Sequence, residues 1–283
     1  MALSLMYITN NPQVASIAQE TGVDRIFVDM EYIGKEDRQA GMNTVKSHHT
    51  YQDIETISSI TQNGYSNLLV RVNPIHDATK DYCSSEEEIR TAITCGADII
   101  MLPMFRTCSD IERLSKCVDG KAKIMLLLET KEAAENLDEI ISCGGFDELH
   151  IGLNDLHLAY GRKFMFELLA NGTVDRLASK LNSSNIRFGF GGIARVGYGM
   201  LPAEYIIAEH YRLNSKAAIL SRSFCNADRI ENIEMLYPIF NEGIRNIRDF
   251  EKKAANFTSA EYNENHKTVV SIVKKIVGGY SGK

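Results

Sequence analysis

The sequence predicts an α/β protein: a (β/α)8 TIM barrel with an appended C-terminal helical segment. Two observations carry this expectation. Short apolar runs rich in Val, Ile and Leu alternate with longer stretches of helical period, the signature of βα units feeding a parallel sheet. These runs number eight, and eight βα repeats close a barrel. Alternation alone also permits an open, doubly wound sheet.

The first strand is expected in LSLMYI (3–8), before a helix at 12–21, and the second in RIFVDM (25–30). Segment 31–66 is longer than one helix needs. Its polar centre, GKEDRQAGMNTVKSHHTYQD, reads as an elaborated loop leading into a helix at 52–62. Strands then follow in NLLVRV (67–72), DIIMLP (98–103), AKIMLLLE (122–129), ELHIGL (148–153), IRFGFG (186–191) and AAILSR (217–222). Helices are expected between them at 85–95, 109–118, 131–142, 164–182 and 201–212, with Ser109 and Thr130 as N-caps. GFGGIARVG (189–197) reads as a tight turn that its glycines permit, with a phosphate site on its backbone amides as the alternative. The helical period continues after residue 223 with no Pro/Ser/Gly linker. The barrel is therefore expected in 1–225 and a helical extension in 226–283, either simply appended to the barrel or serving as an oligomerisation arm.

Composition narrows the function. Hydrophobic residues at 44% and charged residues at 24% are ordinary for a soluble globular chain. A net charge of −6 with interspersed basic residues argues against a nucleic-acid partner. No apolar run approaches the roughly 20 residues that cross a bilayer, and the N-terminus lacks the pattern of a signal peptide. The six cysteines show no CxxC spacing, so reduced thiols in a cytoplasmic protein are expected.

The chemistry of a barrel lies at the C-terminal ends of its strands. There the second strand ends in Asp29-Met30-Glu31, the third in Arg71-Val72-Asn73-Pro74, the fifth in Glu129-Thr130 and the sixth in Asn154-Asp155. Two carboxylates on consecutive strands, completed by water and substrate oxygens, suit a hard cation such as Mg²⁺ or Mn²⁺. Arg71 offers a fork of donors to an anionic substrate. Each feature also has a plain structural explanation. Glu129 can favour a helix N-terminus, Asp155 can cap a turn, and RVNP can be an ion pair before a proline turn. Only their joint placement points to a site.

That placement resembles the HpcH/HpaI aldolase/citrate lyase family over roughly residues 20–225. RIFVDMEYIGKEDR looks like its Asp-x-Glu strand, LLVRVNP like its arginine strand and GADIIMLPM like the next. IMLLLETKEAAENLDEI and DELHIGLNDLHLAYG look like its two metal-ligand strands. On this resemblance the barrel displaces the open sheet. The resemblance implies that Glu129 and Asp155 hold a divalent metal, Mg²⁺ first, with Mn²⁺ or Co²⁺ as alternatives. Arg71 would bind the carboxylate and carbonyl end of a 2-oxo acid, Asp29 and Glu31 would stand behind the metal, and Met104 would border the pocket.

The implied activity is that of a class II-type aldolase. It would make or break a 4-hydroxy-2-oxo acid through a pyruvate enolate, with an aldehyde as second product. The chain departs from the family at Tyr32, where the aldolase branch carries a histidine; tyrosine, with a pKa near 10, is a poor base. His48 and His49 in the inserted loop are then either solvent-exposed or contain the replacement base that reaches over the mouth. VRVNP and GKEDR, with Lys35 and Arg38, are similar to the acyl-CoA lyase and citrate-lyase branch. An acyl-CoA ester lyase or citrate-synthase-like enzyme is therefore the alternative, and a barrel that has lost catalysis a third. The resemblance further implies a homo-oligomer, trimer or hexamer.

Overall fold

A computed structural model describes residues 2–34, 49–230 and 232–280. Eight parallel strands close into a barrel in sequence order. They are β1 Ser4–Ile8, β2 Arg25–Asp29, β3 Asn67–Arg71, β4 Ile99–Leu102, β5 Lys123–Leu128, β6 Glu148–Ile151, β7 Arg187–Ile193 and β8 Ala217–Leu220. Closure is made by β8 on β1, where Ser4 pairs with Ala217. All eight expected strands form, and helices cover their outer face. Burial on both faces is why the strands read as continuous apolar runs.

The helices are α1 Pro12–Glu20, α2 Tyr51–Thr61, α3 Ser85–Thr94, α4 Cys108–Val118, α5 Lys131–Glu135 and α6 Leu137–Cys143. They continue with α7 Leu153–Ala159, α8 Glu167–Ala170, α9 Thr173–Ser183, α10 Ala203–Arg212, α11 Leu236–Ala254 and α12 Ser259–Tyr280. Thr130 caps α5 as expected, accepting the Ala133 N–H. Ser109 is not an N-cap. Thr107 is, with its N–H bound by Asp110 at 3.0 Å, and Ser109 lies in the first turn of α4. The single helix expected at 164–182 is two, because Gly172 takes a left-handed conformation (φ 79°) between α8 and α9.

Side chains alternate along each strand, so one strand serves three levels of the barrel interior. On β2, Arg25 sits at the bottom, Phe27 in the middle and Asp29 at the mouth. The middle is apolar: Met6, Phe27, Leu69, Ile99, Met101, Met125, Leu127 and Ala217 pack together. The bottom is ionic, with Arg25 Nη2 reaching across to Glu148 Oε1 at 2.7 Å and Arg187 Nε bonding Glu148 Oε2 at 3.2 Å. The three-level arrangement leaves the mouth for polar chemistry.

The glycine-rich stretch at 189–197 is not a simple tight turn. β7 runs through it to Ile193, with a register irregularity between Gly189 and Gly192. A Cβ at Gly189 would collide with the Ala217 carbonyl and with His150, whose ring fills the interior beside it. His150 is buried in β6 with Nε2 against Gly191 O at 3.2 Å.

The C-terminal helices fold back on their own barrel. α11 lies against α1 and α10, and α12 against α10 and α8. Phe240 of α11 meets Tyr7 of β1 edge-on at 4.9 Å and Phe224 at 5.4 Å, so the two segments share one core. Glu251 accepts the Leu3 N–H at 2.6 Å, and Arg248 donates to Leu3 O at 2.7 Å. Among the described residues, no helix is long and apolar enough to cross a membrane.

Candidate active site

Strand pairing brings the first three site residues together. Asp29, the last residue of β2, is in register with Arg71, the last of β3. Arg71 Nε donates to Asp29 Oδ1 at 2.8 Å and Nη2 to Oδ2 at 2.9 Å, a bidentate pair. Arg71 Nη1 lies 3.3 Å from Glu31 Oε2. Asp29 and Glu31 are buried, at 2% and 1% exposed. Burial disfavours the guanidinium charge, but the fields of Asp29 and Glu31 outweigh it, and the pKa of Arg71 rises above its ordinary value. Glu129 adds to that field, so the fifth strand end belongs to the same electrostatic cluster. Asp29 and Glu31, expected behind a metal, are here the partners that hold Arg71.

Glu129 follows β5 and is 3% exposed. Its Oε1 accepts the Met104 N–H at 3.1 Å. Met104 adopts φ 53°, a left-handed conformation that costs a non-glycine residue about 1–3 kcal/mol. That conformation carries an amide that bonds the carboxylate. The other oxygen, Oε2, faces the β6–α7 junction: a Cβ built on Gly152 would lie 3.0 Å from it. Glycine at 152 therefore makes the room that Glu129 occupies.

Asp155 is not at a strand end. β6 stops at Ile151, and α7 begins at Leu153, so Asp155 stands in the first turn of a helix and is half-buried. Leu149, Ile151 and Leu153 alternate as a strand would. Leu153 and Leu156 are also three apart on one helix face and both buried, so the same letters satisfy either period. Leu128 pairs with Ile151, which sets Glu129 and Gly152 side by side and Asp155 one turn beyond.

The donor set of Glu129 and Asp155 is carboxylate, the hard oxygen chemistry that suits Mg²⁺ or Mn²⁺. The missing side chain at Gly152 leaves room for Glu129 Oε2 at the start of the helix that carries Asp155. Among the described residues, no three His, Cys, Asp or Glu side chains form a closed metal cage. A cation here would complete its shell with water and substrate oxygens.

His49 is not solvent-exposed. It is 7% exposed, and its Nδ1 accepts the Asp29 backbone N–H at 2.9 Å. That bond places the proton of the neutral ring on Nε2 and fixes the end of β2. Tyr32 donates its hydroxyl to the His49 carbonyl. Burial, then the field of Asp29, pushes the Tyr32 pKa up to about 12, so it is a donor and not a base. His48, Lys35 and Arg38 lie outside the described residues.

Beside the cluster, the loops after β2, β3 and β4 enclose a cavity of about 440 Å³ lined by Ile33, Pro74, Ile75, Met104, Phe105 and Arg106. Met104 thus borders both Glu129 and the cavity. Two structural participants have roles that the sequence did not assign, although Asn73 lies within the RVNP strand end. Asn73 binds the chain leaving β2 through its side-chain oxygen, and Glu88 holds Asn73. Glu88 is the third of three consecutive glutamates at the start of α3 and reads like the others as a helix N-terminal charge.

The HpcH/HpaI aldolase/citrate lyase model matches residues 3–165. No curated protein matches the chain. The structure is similar to an HpcH/HpaI aldolase from Desulfitobacterium hafniense DCB-2, with TM-score 0.59 and 15% identity over 78% of this chain and 86% of that one. An HpcH/HpaI aldolase/citrate lyase family protein from Burkholderia cenocepacia J2315 gives 0.61 and 12% over 80% and 91%. The citrate synthase SbnG gives 0.59 and 13% over 78% and 85%. At these identities the structures share the fold. The match of the family model over more than half the sequence goes further, and the chain belongs to the HpcH/HpaI aldolase/citrate lyase family.

Proposed function

We propose that this chain is a divalent-metal-dependent carbon–carbon lyase of the class II aldolase type, acting on a 4-hydroxy-2-oxo acid by way of a pyruvate enolate. Family membership supports an aldolase or lyase scaffold. The observation that carries the reading is the arrangement at the mouth, where Glu129 acts on an arginine held by two buried carboxylates and its Oε2 lies against Gly152, three residues before Asp155.

Glu129 and Asp155 would hold the cation, which when bound supplies Lewis acidity toward the oxygens of a 2-oxo acid. Arg71 has five N–H groups. Asp29 takes two and Glu31 lies against a third, which leaves one on each terminal nitrogen for the substrate. Because Asp29 occupies the side of the fork, the end-on edge is the one offered. The charge there is fixed before substrate arrives, the condition for stabilising an oxyanion. His49 is committed to Asp29 and Tyr32 is a donor. In this reading His48 is the remaining candidate for the proton acceptor that the substrate hydroxyl requires.

The test is exchange of pyruvate methyl protons in D₂O, followed by NMR, with Mg²⁺, Mn²⁺ or Co²⁺ and with EDTA. Metal-dependent exchange, abolished in Arg71→Ala and Asp155→Ala, is expected. Its absence with every metal removes the pyruvate-aldolase reading. The likeness to a citrate synthase keeps a second reading open, a lyase or condensing enzyme using a CoA thioester. Exchange that requires a CoA thioester would select it.

A further inference from the structure

Glu88 is a buried carboxylate outside the metal and substrate cluster. It is 3% exposed on α3, whereas its neighbour Glu87 is exposed and Glu86 pairs with Arg113 at 2.5 Å. Burying a carboxylate is costly unless its oxygens are bonded. Oε1 accepts two bonds from Asn73, from the backbone N at 3.0 Å and from Nδ2 at 2.8 Å, while Oε2 has no hydrogen-bond partner among the described residues. Burial pushes the Glu88 pKa up, against the Asn73 bonds and the field of His76. A residue this expensive to bury needs a use.

Its use is on the other side of Asn73. Asn73 Oδ1 accepts the backbone N–H groups of Tyr32 at 2.8 Å and Ile33 at 2.9 Å. Those are the two residues after Glu31, on the segment that carries Asp29 and Glu31 to Arg71. A carboxylate bound to the amide NH₂ polarises the amide and strengthens its oxygen as an acceptor. The loop between Asn73 and Glu88 is itself clipped. His76 Nδ1 lies 2.7 Å from Pro74 O, its Nε2 lies 2.8 Å from Cys83 O, and its backbone N–H donates to Ser85 Oγ at 2.8 Å.

We propose that Glu88 and Asn73 form a positioning relay, in which α3 holds the chain leaving β2 and thereby the two carboxylates that orient Arg71. The relay is a matter of geometry, and its catalytic consequence rests on the aldolase reading above.

Two measurements separate these levels. Amide hydrogen exchange, read by mass spectrometry on peptides spanning residues 29–34, tests the anchor without any activity. Asn73→Ala removes the acceptor and Glu88→Ala removes its support, so both should speed exchange at Tyr32 and Ile33 by about tenfold or more. Glu88→Gln keeps an oxygen where Oε1 stands and should retain the protection. Unchanged protection in Asn73→Ala overturns the relay, as does a loss spread evenly over the whole barrel. If Glu88→Ala does not fold, Asn73→Ala and Glu88→Gln decide the question. In the pyruvate exchange assay, the alanine variants should lose about tenfold or more in kcat, because small misplacements of a charged clamp are costly. Glu88→Gln should recover most of it. Local loosening with unchanged kcat overturns the catalytic role and leaves the anchor. A wild-type protein with no exchange activity overturns the aldolase reading, while the amide measurement still stands.

Discussion

Gly152→Ala tests the placement of Glu129 as a ligand with one added methyl group. The new Cβ would lie 3.0 Å from Glu129 Oε2, 3.1 Å from Glu129 Cβ and 3.1 Å from Leu127 Cδ1. Ordinary contacts begin near 3.4 Å, so the neighbours must yield by a few tenths of an ångström. The backbone at Gly152 has φ −78° and ψ 83°, outside the left-handed region, so the cost is steric. Leu127 is packed in the barrel interior, and Glu129 Oε1 is tied to Met104. The freer movement is rotation of Oε2 away from α7. Overpacking of this kind costs about 1–3 kcal/mol. Expressed wholly in metal affinity, that is a weakening of about 5- to 150-fold. The assay is Mn²⁺ titration by calorimetry, together with the Mn²⁺ concentration that half-saturates pyruvate exchange. Gly278→Ala is the control, since nothing lies within 4 Å of a Cβ there. A helical Gly→Ala change should leave affinity untouched and stabilise by about 0.5–1 kcal/mol. Unchanged Mn²⁺ affinity in a folded Gly152→Ala protein would refute the assignment of Glu129.

Two further predictions concern the barrel below the mouth. Glu148→Ala should destabilise by about 3–5 kcal/mol in urea denaturation, because it leaves the buried Arg25 guanidinium without its carboxylate. Arg187, about a third exposed, can turn to water, and a loss below 1 kcal/mol would mean that Arg25 does the same. The second concerns acid. Burial depresses the pKa of His150 to about 4 and that of His210 to about 3. The unfolded chain protonates these rings from about pH 6.5 downward, while the folded chain keeps them neutral. Stability from both groups is therefore complete above pH 6.5 and declines as pH falls toward 4 and 3. The melting temperature measured from pH 7 to pH 4 should fall, and His150→Gln should reduce the slope. Equal slopes would show that His150 is not kept neutral in the fold.

The local pattern was enough for the eight strands and for most of the mouth, while the family resemblance, and not the pattern, chose a closed barrel over an open sheet. Each strand must be apolar on both faces, so NLLVRV and KIMLLL are legible as strands before any neighbour is known. The end of each run marks the mouth and with it Asp29, Arg71 and Glu129, whereas Met104 follows only from the family resemblance. Tyr32 departs from the histidine that the family's aldolase branch carries there, and its raised pKa agrees with a phenol that is a poor base. The period misled where two periods coincide. Leu149, Ile151 and Leu153 fit a strand, but Leu153 already belongs to α7, which moved Asp155 from a strand end to a helix turn.

The local succession of apolar runs and helical stretches therefore determined which segments become strands, their number and which end of each carries polar groups, because those depend on contacts within a few residues. Tertiary structure decided which charges meet. Asp29 and Arg71 pair across 42 residues and Arg25 and Glu148 across 123, and no local pattern specifies a partner at that distance. It also decided which of three consecutive glutamates is buried. Glu86, Glu87 and Glu88 are chemically alike in sequence, and only the packing of α3 against the end of β3 gives Glu88 the two Asn73 bonds that make its burial tolerable.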